Sequence, residues 1–215
     1  MLKLKRILYK ISVWFFGLSV GLVVFFKFVP VPFTPLMGIR IIENKLDKKP
    51  IYFEHNWEPI ENISMNLQKA VIASEDGTFL HHHGFDFSAM QKAFQNNASG
   101  KRIKGGSTIS QQTAKNVFLW QGRSYFRKAL EAYFTVLIEL IWGKERIMEV
   151  YLNSIEMGDG IYGAHAATQY WYGKDASSLT KIQAAGIAAI LPNPRKFKAS
   201  NSTAFINRRK DRIVR

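Results

Sequence analysis

No stretch limits what this chain can fold into more than the one between Lys10 and Lys27, which carries no charge. Ile11, Val13, Trp14, Phe15, Phe16, Leu18, Val20, Leu22, Val23, Val24, Phe25 and Phe26 dominate it. As a helix, residues 7–29 are long enough to cross the ~30 Å hydrocarbon core of a bilayer, and the flanking lysines can reach the headgroups. Residues 1–10 carry Lys3, Lys5, Arg6 and Lys10. Positive residues on that side place the N-terminus in the cytoplasm and the bulk of the chain outside. No small-residue cleavage site follows; the chain runs into Val29-Pro30-Val31-Pro32. The segment 11–29 is therefore read as an uncleaved transmembrane helix rather than a signal peptide.

The rest of the composition is read against that anchor. Of 215 residues, 30 are basic and 16 acidic, a net charge of +14. The charge is clustered: residues 101–128 contain seven basic residues and no acid, and residues 195–215 contain eight basic residues and only Asp211. Such clusters suit nucleic acid, anionic lipid or a phosphorylated substrate. Outside the cytoplasm nucleic acid is not an expected partner, which leaves membrane lipid and phosphate. There is no cysteine, so disulfides and thiolate metal sites are excluded.

Residues 30–44 read as a connector, and 45–215 as one domain. Five of the seven prolines fall between Pro30 and Pro59, which argues against a continuous helix there. Tyr52 and Phe53 suggest a short strand. Beyond that the pattern is mainly helical. Leu67, Ala70 and Val71 recur at helical spacing. Ser88 with Gln91, Thr108 with Gln111 and Thr180 with Gln183 form capping boxes. Leu130, Phe134, Leu137, Ile138 and Ile141 mark one apolar face, and Ile147, Val150 and Tyr151 another.

Three stretches carry chemistry. In the first, Ala73-Ser74-Glu75-Asp76-Gly77, two carboxylates meet the end of a helix, where the macrodipole disfavours negative charge. A carboxylate in that field suits a general base. His81-His82-His83 follow, but adjacent residues share no face, so zinc is not expected and His82 is read as a brace for the turn. In the second, Gly105-Gly106-Ser107-Thr108, two glycines precede a helix N-terminus whose free N–H groups face a ligand. Gln112, Lys115 and Asn116 share one face of that helix. The GxxxxGK[ST] spacing of a nucleotide loop is missing. In the third, Arg123 through Glu131, Arg127 and Glu131 lie four apart; alone, such a pair is an ordinary ion pair.

Together these stretches resemble the peptidoglycan glycosyltransferases, glycosyltransferase family 51. Glu75, Asp76, Phe79, His82 and Gly84 fit the first family motif, and Gly105 through Asn116 the second. Arg127, Lys128, Glu131 and Ile138-Glu139 fit the third. Arg146-Ile147 with Tyr151-Leu152-Asn153 fit the fourth. Two positions depart from the usual pattern, Ile138 for leucine and Thr135 for alanine. The resemblance implies a lysozyme-like helical glycosyltransferase domain on a bacterial cytoplasmic (inner) membrane anchor. It implies polymerisation of lipid II with inversion, sensitivity to moenomycin, and partners that include the growing glycan strand and other cell-wall synthesis or division proteins. Glu75 is then the catalytic base. Glu131 is a second catalytic carboxylate that orients the cations or a divalent ion, Mg or Mn, the one cofactor the resemblance leaves room for. Ser107, Thr108, Gln112, Lys115, Asn116, Arg123 and Arg127 are the expected substrate-binding residues.

Two other classes compete. One is a membrane-anchored muramidase, a hydrolase of related fold that would need an acid–base carboxyl pair at the scissile bond. The other is a non-catalytic protein that binds anionic lipid or glycan through its basic surface.

Overall fold

The computed structural model describes residues 2–98, 106–122 and 124–215. Among these residues the chain forms ten α-helices and three very short strands. Helix α1 (Leu2–Phe28) is long and apolar enough to cross a membrane. Trp14, Leu18 and Phe28 on its surface are more than half exposed. Its C-terminal half is not a loose tether. The Ser19 hydroxyl and the Tyr133 hydroxyl are 2.7 Å apart, and Trp142 Nε1 donates to the Val23 carbonyl at 2.7 Å. The last carbonyls of a helix lack intrahelical partners. Arg146 supplies them here, donating to the Phe26 carbonyl at 2.8 Å and to that of Val29 at 2.7 Å.

The proline-rich segment contains a helix that the proline count argued against. Thr34 caps it and Pro35 occupies its first position, where proline's fixed φ fits and its missing N–H costs nothing. This helix, α2 (Pro35–Leu46), buries Leu36 and Met37 against Tyr162. Strand β1 (Glu54–His55) begins just after the expected Tyr52-Phe53. It pairs in parallel with β3 (Ile161–Tyr162), which pairs antiparallel with β2 (Glu156–Gly158), giving the order β1-β3-β2. The turn between β2 and β3 presses on the chain beside β1. A Cβ on Gly160, at φ +73°, would lie 2.2 Å from the Tyr52 carbonyl oxygen.

The helical core is built from α3 (Met65–Glu75), α5 (Ile109–Phe118), α6 (Tyr125–Ile141), α7 (Gly143–Ser154) and α9 (Lys181–Ile190). The Thr108–Gln111 and Thr180–Gln183 capping boxes open α5 and α9 as the sequence indicates. α4 (Phe87–Ala98) differs: it begins two residues before the expected Ala89, because Asp86 rather than Ser88 caps it, accepting from the Ala89 N–H at 2.8 Å. Bonds from Thr78, Ala89 and Ser88 hold the Asp86 carboxyl well below the usual carboxylate range.

α9 buries Ala184, Ala185, Ala188 and Ala189, small residues that let α3 and α10 (Ala204–Val214) approach closely. α5 lies between α6 and α7, with Ile109, Ala114 and Val117 buried. α8 (Gly163–Tyr172) closes the sheet end of the domain, and Trp171 Nε1 donates to the Met157 carbonyl at 2.8 Å.

Candidate active site

The site is assembled around the end of α3. Glu75 is its last residue and Asp76 its C-cap. Asp76 is buried and turns inward. Its carboxylate accepts from the backbone N–H of Ile109, the first residue of α5, at 2.9 Å, and from His82 Nε2 at 3.0 Å. A carboxylate there complements the positive end of the α5 dipole. His82 Nδ1 accepts from the Gly84 N–H at 3.1 Å, so the proton sits on Nε2 and points at Asp76. Gly84 in turn gives its carbonyl to the Thr108 hydroxyl at 2.7 Å. Its φ of +89° suits glycine, and a Cβ there would lie 2.8 Å from Thr135 Cγ2. The loop after α3 is thereby locked onto the start of α5.

Glu75 faces the other way and is half-buried. Oε2 accepts from Gln112 Nε2 at 3.2 Å and Oε1 from the Ser74 hydroxyl at 3.2 Å. Gln112 belongs to the second turn of α5, which the Asp76 cap fixes against α3. Behind Gln112 stands Tyr151 of α7, fully buried, whose hydroxyl donates to Gln112 Oε1 at 3.3 Å. Burial first, then the charges of Glu75 and Asp76, hold the Tyr151 phenol far above its ordinary range, so it stays a donor.

One turn on from Gln112, on the same face of α5, Lys115 meets a second charged group. Glu131 of α6 is 2% exposed. Its Oε2 accepts from Arg127 at 2.8 Å and its Oε1 from Lys128. Arg127 is fixed further by its Nε, which donates to the Gly122 carbonyl at 2.9 Å, and by the Ser124 hydroxyl that caps α6. Lys115 makes no hydrogen bond or ion pair among the described residues. Its pKa is lowered, by burial above all and by Arg127 and Lys128; Glu131 offsets this in part. A partly desolvated ammonium beside two other cations gains most from a visiting anion.

Several sequence-based expectations meet a different geometry. Three N–H groups at the N-terminus of α5 are taken up within the protein rather than offered to a ligand: the Thr108 hydroxyl accepts from Gln111 N–H, Gln111 Oε1 from Thr108 N–H, and Asp76 from Ile109 N–H. Thr108 is 3% exposed and bonded through both N–H and hydroxyl as the cap of α5. Asn116 is likewise buried, on the core side of α5. Ser107, just before the cap, is exposed. Arg123, Lys104 and Gly105 lie outside the described residues. A divalent ion at Glu131 does not fit the donor set. Both its oxygens accept from cations, and no cluster of three His, Asp or Glu side chains that could hold a metal occurs among the described residues. His81 and His83 are exposed and apart from the Asp76 bond that holds His82.

Two residues that the sequence offers only as motif matches have partners that it does not indicate. Tyr151 reads as core because it continues the Ile147–Val150 apolar face, and nothing local marks its hydroxyl for the site. Glu139 binds Ser110 Oγ at 2.5 Å and Lys144 Nζ at 2.6 Å, a brace between α5, α6 and α7 that only the packed helices reveal.

Residues 44–215 match the family model described as transglycosylase. A biosynthetic peptidoglycan transglycosylase of Caulobacter vibrioides is 55% identical over 191 residues, covering 89% of this chain and 81% of that protein. One of Pseudomonas fluorescens is 52% identical over 200 residues, covering 93% and 83%. One of Bdellovibrio bacteriovorus is 49% identical over 211 residues, covering 98% and 84%. Likeness of this extent, on a helical domain with such a site, defines a glycosyl-transferring enzyme. The chain belongs to the transglycosylase family, and its activity is that of a peptidoglycan glycosyltransferase.

The Asp76 junction yields a stability prediction. Asp76→Ala leaves the Ile109 N–H and the His82 Nε2–H without acceptors in a buried place. A loss of about 2–4 kcal/mol is expected. In thermal unfolding of the detergent-solubilised protein the midpoint should fall by several degrees. An unchanged midpoint would show that the junction is not what holds α3 to α5.

Proposed function

We propose that this transglycosylase polymerises glycan strands from lipid II, a disaccharide-pentapeptide linked through pyrophosphate to a polyprenol. The growing lipid-linked strand is the donor, and the 4-hydroxyl of the GlcNAc of lipid II is the acceptor. Glu75 takes the proton from that hydroxyl as its oxygen bonds to the donor's anomeric carbon. The bond from that carbon to the pyrophosphate oxygen breaks on the opposite face, which inverts the centre to a β-1,4 link. Polyprenyl pyrophosphate departs with the bonding electron pair. It is a weak base and needs cations rather than a general acid.

One observation carries this reading: a single face of α5 places Gln112 on Glu75 and, one turn away, Lys115 beside the Arg127–Lys128–Glu131 group. The base and the anion site are thus two ends of one rigid element. Glu131 keeps Arg127 and Lys128 in place while Lys115 stays free for phosphate. Ser107 and Gln112 are assigned to sugar or phosphate; Arg123 is assigned to the pyrophosphate on its motif alone. A muramidase is disfavoured by the same geometry, because both oxygens of Glu131 are engaged by cations and neither is available to protonate a leaving sugar.

A lipid-linked substrate also accounts for exposed apolar side chains in the stretches around Glu75 and Arg127. Leu80, Phe87, Phe94 and Phe126 are 63%, 74%, 75% and 68% exposed, unusual for large apolar groups on a surface facing only water. With α1 as anchor, the N-terminus lies in the cytoplasm and the domain on the outer face of the cytoplasmic membrane, among membrane lipid, glycan strands and other cell-wall synthesis proteins. Protease added to intact spheroplasts should degrade the domain; protection until lysis would reverse this topology.

Glu75→Gln keeps size and shape, so the fold should persist while polymerisation of lipid II falls at least ~10²-fold, the scale of a general base. Near-normal turnover by this variant would remove Glu75 from the mechanism. The products separate the two enzyme classes: polymer with polyprenyl pyrophosphate means transfer, shortened glycan means hydrolysis.

Charge on the leaving group grows as the glycosidic bond breaks, so Lys115 should bind the transition state better than the ground state. Lys115→Ala is expected to lower kcat by ~10²-fold with a smaller effect on KM, and to weaken moenomycin binding, since that inhibitor resembles the lipid-phosphate donor. Unchanged kcat and inhibitor affinity would assign the basic stretch to the lipid surface instead.

A further inference from the structure

We propose that Tyr151 is a positioning residue for the base: through Gln112 it fixes which face of the side-chain amide Glu75 meets, and so the direction in which the carboxylate presents itself to the acceptor. The inference rests on the assignment of Glu75 as base. A side-chain amide has a donor end and an acceptor end that are nearly equal in shape. The surroundings decide which way round it sits. Here an ionised carboxylate, which only accepts, lies 3.2 Å from the Nε2 end, and a phenol that donates lies 3.3 Å from the Oε1 end. The three groups form a chain in which each bond polarises the next: hydroxyl to carbonyl, amide N–H to carboxylate.

The arrangement matters most at the moment of reaction. As Glu75 takes the acceptor's proton it changes from pure acceptor to partial donor. An untethered amide could then turn its carbonyl towards the carboxyl and hold the proton in the wrong direction. The Tyr151 hydroxyl opposes that turn, because a flipped amide would forfeit the bond to Oε1. Tyr151 is fully buried on α7, so it is far more rigid than the half-exposed Gln112. Its place is set by the Ile147, Val150 and Leu152 core packing of the same helix. It never touches substrate; it acts only through Gln112. The raised pKa of the phenol supports its role as a permanent donor.

Tyr151→Phe deletes one hydroxyl and leaves the ring packing intact. On lipid II, kcat should fall about 3- to 10-fold, the range that one neutral hydrogen bond commands, with KM nearly unchanged and the thermal midpoint shifted little. The decisive measurement is a double-mutant cycle. In a Gln112→Ala background, Tyr151→Phe should have no further effect on kcat, because the relay is already gone. Gln112→Ala alone should lower kcat at least as much as Tyr151→Phe, and this arm stands even if the tyrosine variant folds poorly. Equal losses in both backgrounds would make Tyr151 a packing residue and overturn the proposal, as would unchanged kcat in Tyr151→Phe or a smaller loss in Gln112→Ala. Glu75→Gln separates the two levels: if it stays active the assignment of the base fails, whereas if it is dead and Tyr151→Phe is normal only the relay fails.

Discussion

The buried carboxylate of Asp76 is where local chemistry becomes a site. It ends one helix, starts another and holds the protonated nitrogen of His82, using two oxygens on partners from two segments. Its neighbour Glu75 can remain half-exposed because Asp76 makes the structural bonds. Two adjacent carboxylates thus divide the work, one turned into the protein and one towards the cleft. The division follows from helix geometry. Consecutive side chains near a helix end point about 100° apart, so only one can reach the N-terminus of α5.

α5 then carries the consequences. Its first turn is consumed by caps, its buried side by the core, and its remaining face by Gln112 and Lys115. That order matters electrostatically. The positive end of its dipole is already neutralised by Asp76, so the anion-binding character of this region comes from side-chain cations rather than from backbone N–H groups. Glu131 keeps Arg127 and Lys128 from repelling one another apart, since a buried carboxylate between cations is favourable only when each oxygen is bonded. Lys115, next to this group but without a bond to it, holds the residual positive potential.

The anchor is joined to this framework through α6 and α7, the helices that also bear Arg127, Glu131 and Tyr151. Ser19, Val23, Phe26 and Val29 of α1 meet Tyr133, Trp142 and Arg146. The polar groups at these contacts are paired, which matters for a helix that must otherwise satisfy its own backbone in lipid. On the proposed reading, in which α1 spans the membrane and the substrate is lipid-linked, these bonds set the height and tilt of the site at the membrane surface.

The amino-acid sequence by itself determined the apolar span, the mainly helical class, two of the capping boxes and the family resemblance carried by Glu75, Lys115, Arg127 and Glu131. These are local signals: periodicity, capping and spacing act within a few residues, so they are readable along the chain. Proline density misled between Pro30 and Pro59, because proline breaks a helix interior but begins a helix when Thr34 caps it. Ser88 misled in the same way, since Asp86 caps the helix two residues earlier, at the Ala89 N–H. Only the tertiary structure decided that Thr108 and Asn116 face inward, that Asp76 occupies the N-terminus of α5, and that Glu131 has no oxygen left for a metal. It alone placed Tyr151 behind Gln112. Each of these depends on which helices lie side by side, and residues 39 apart, as Gln112 and Tyr151 are, leave no mark of their meeting in either stretch.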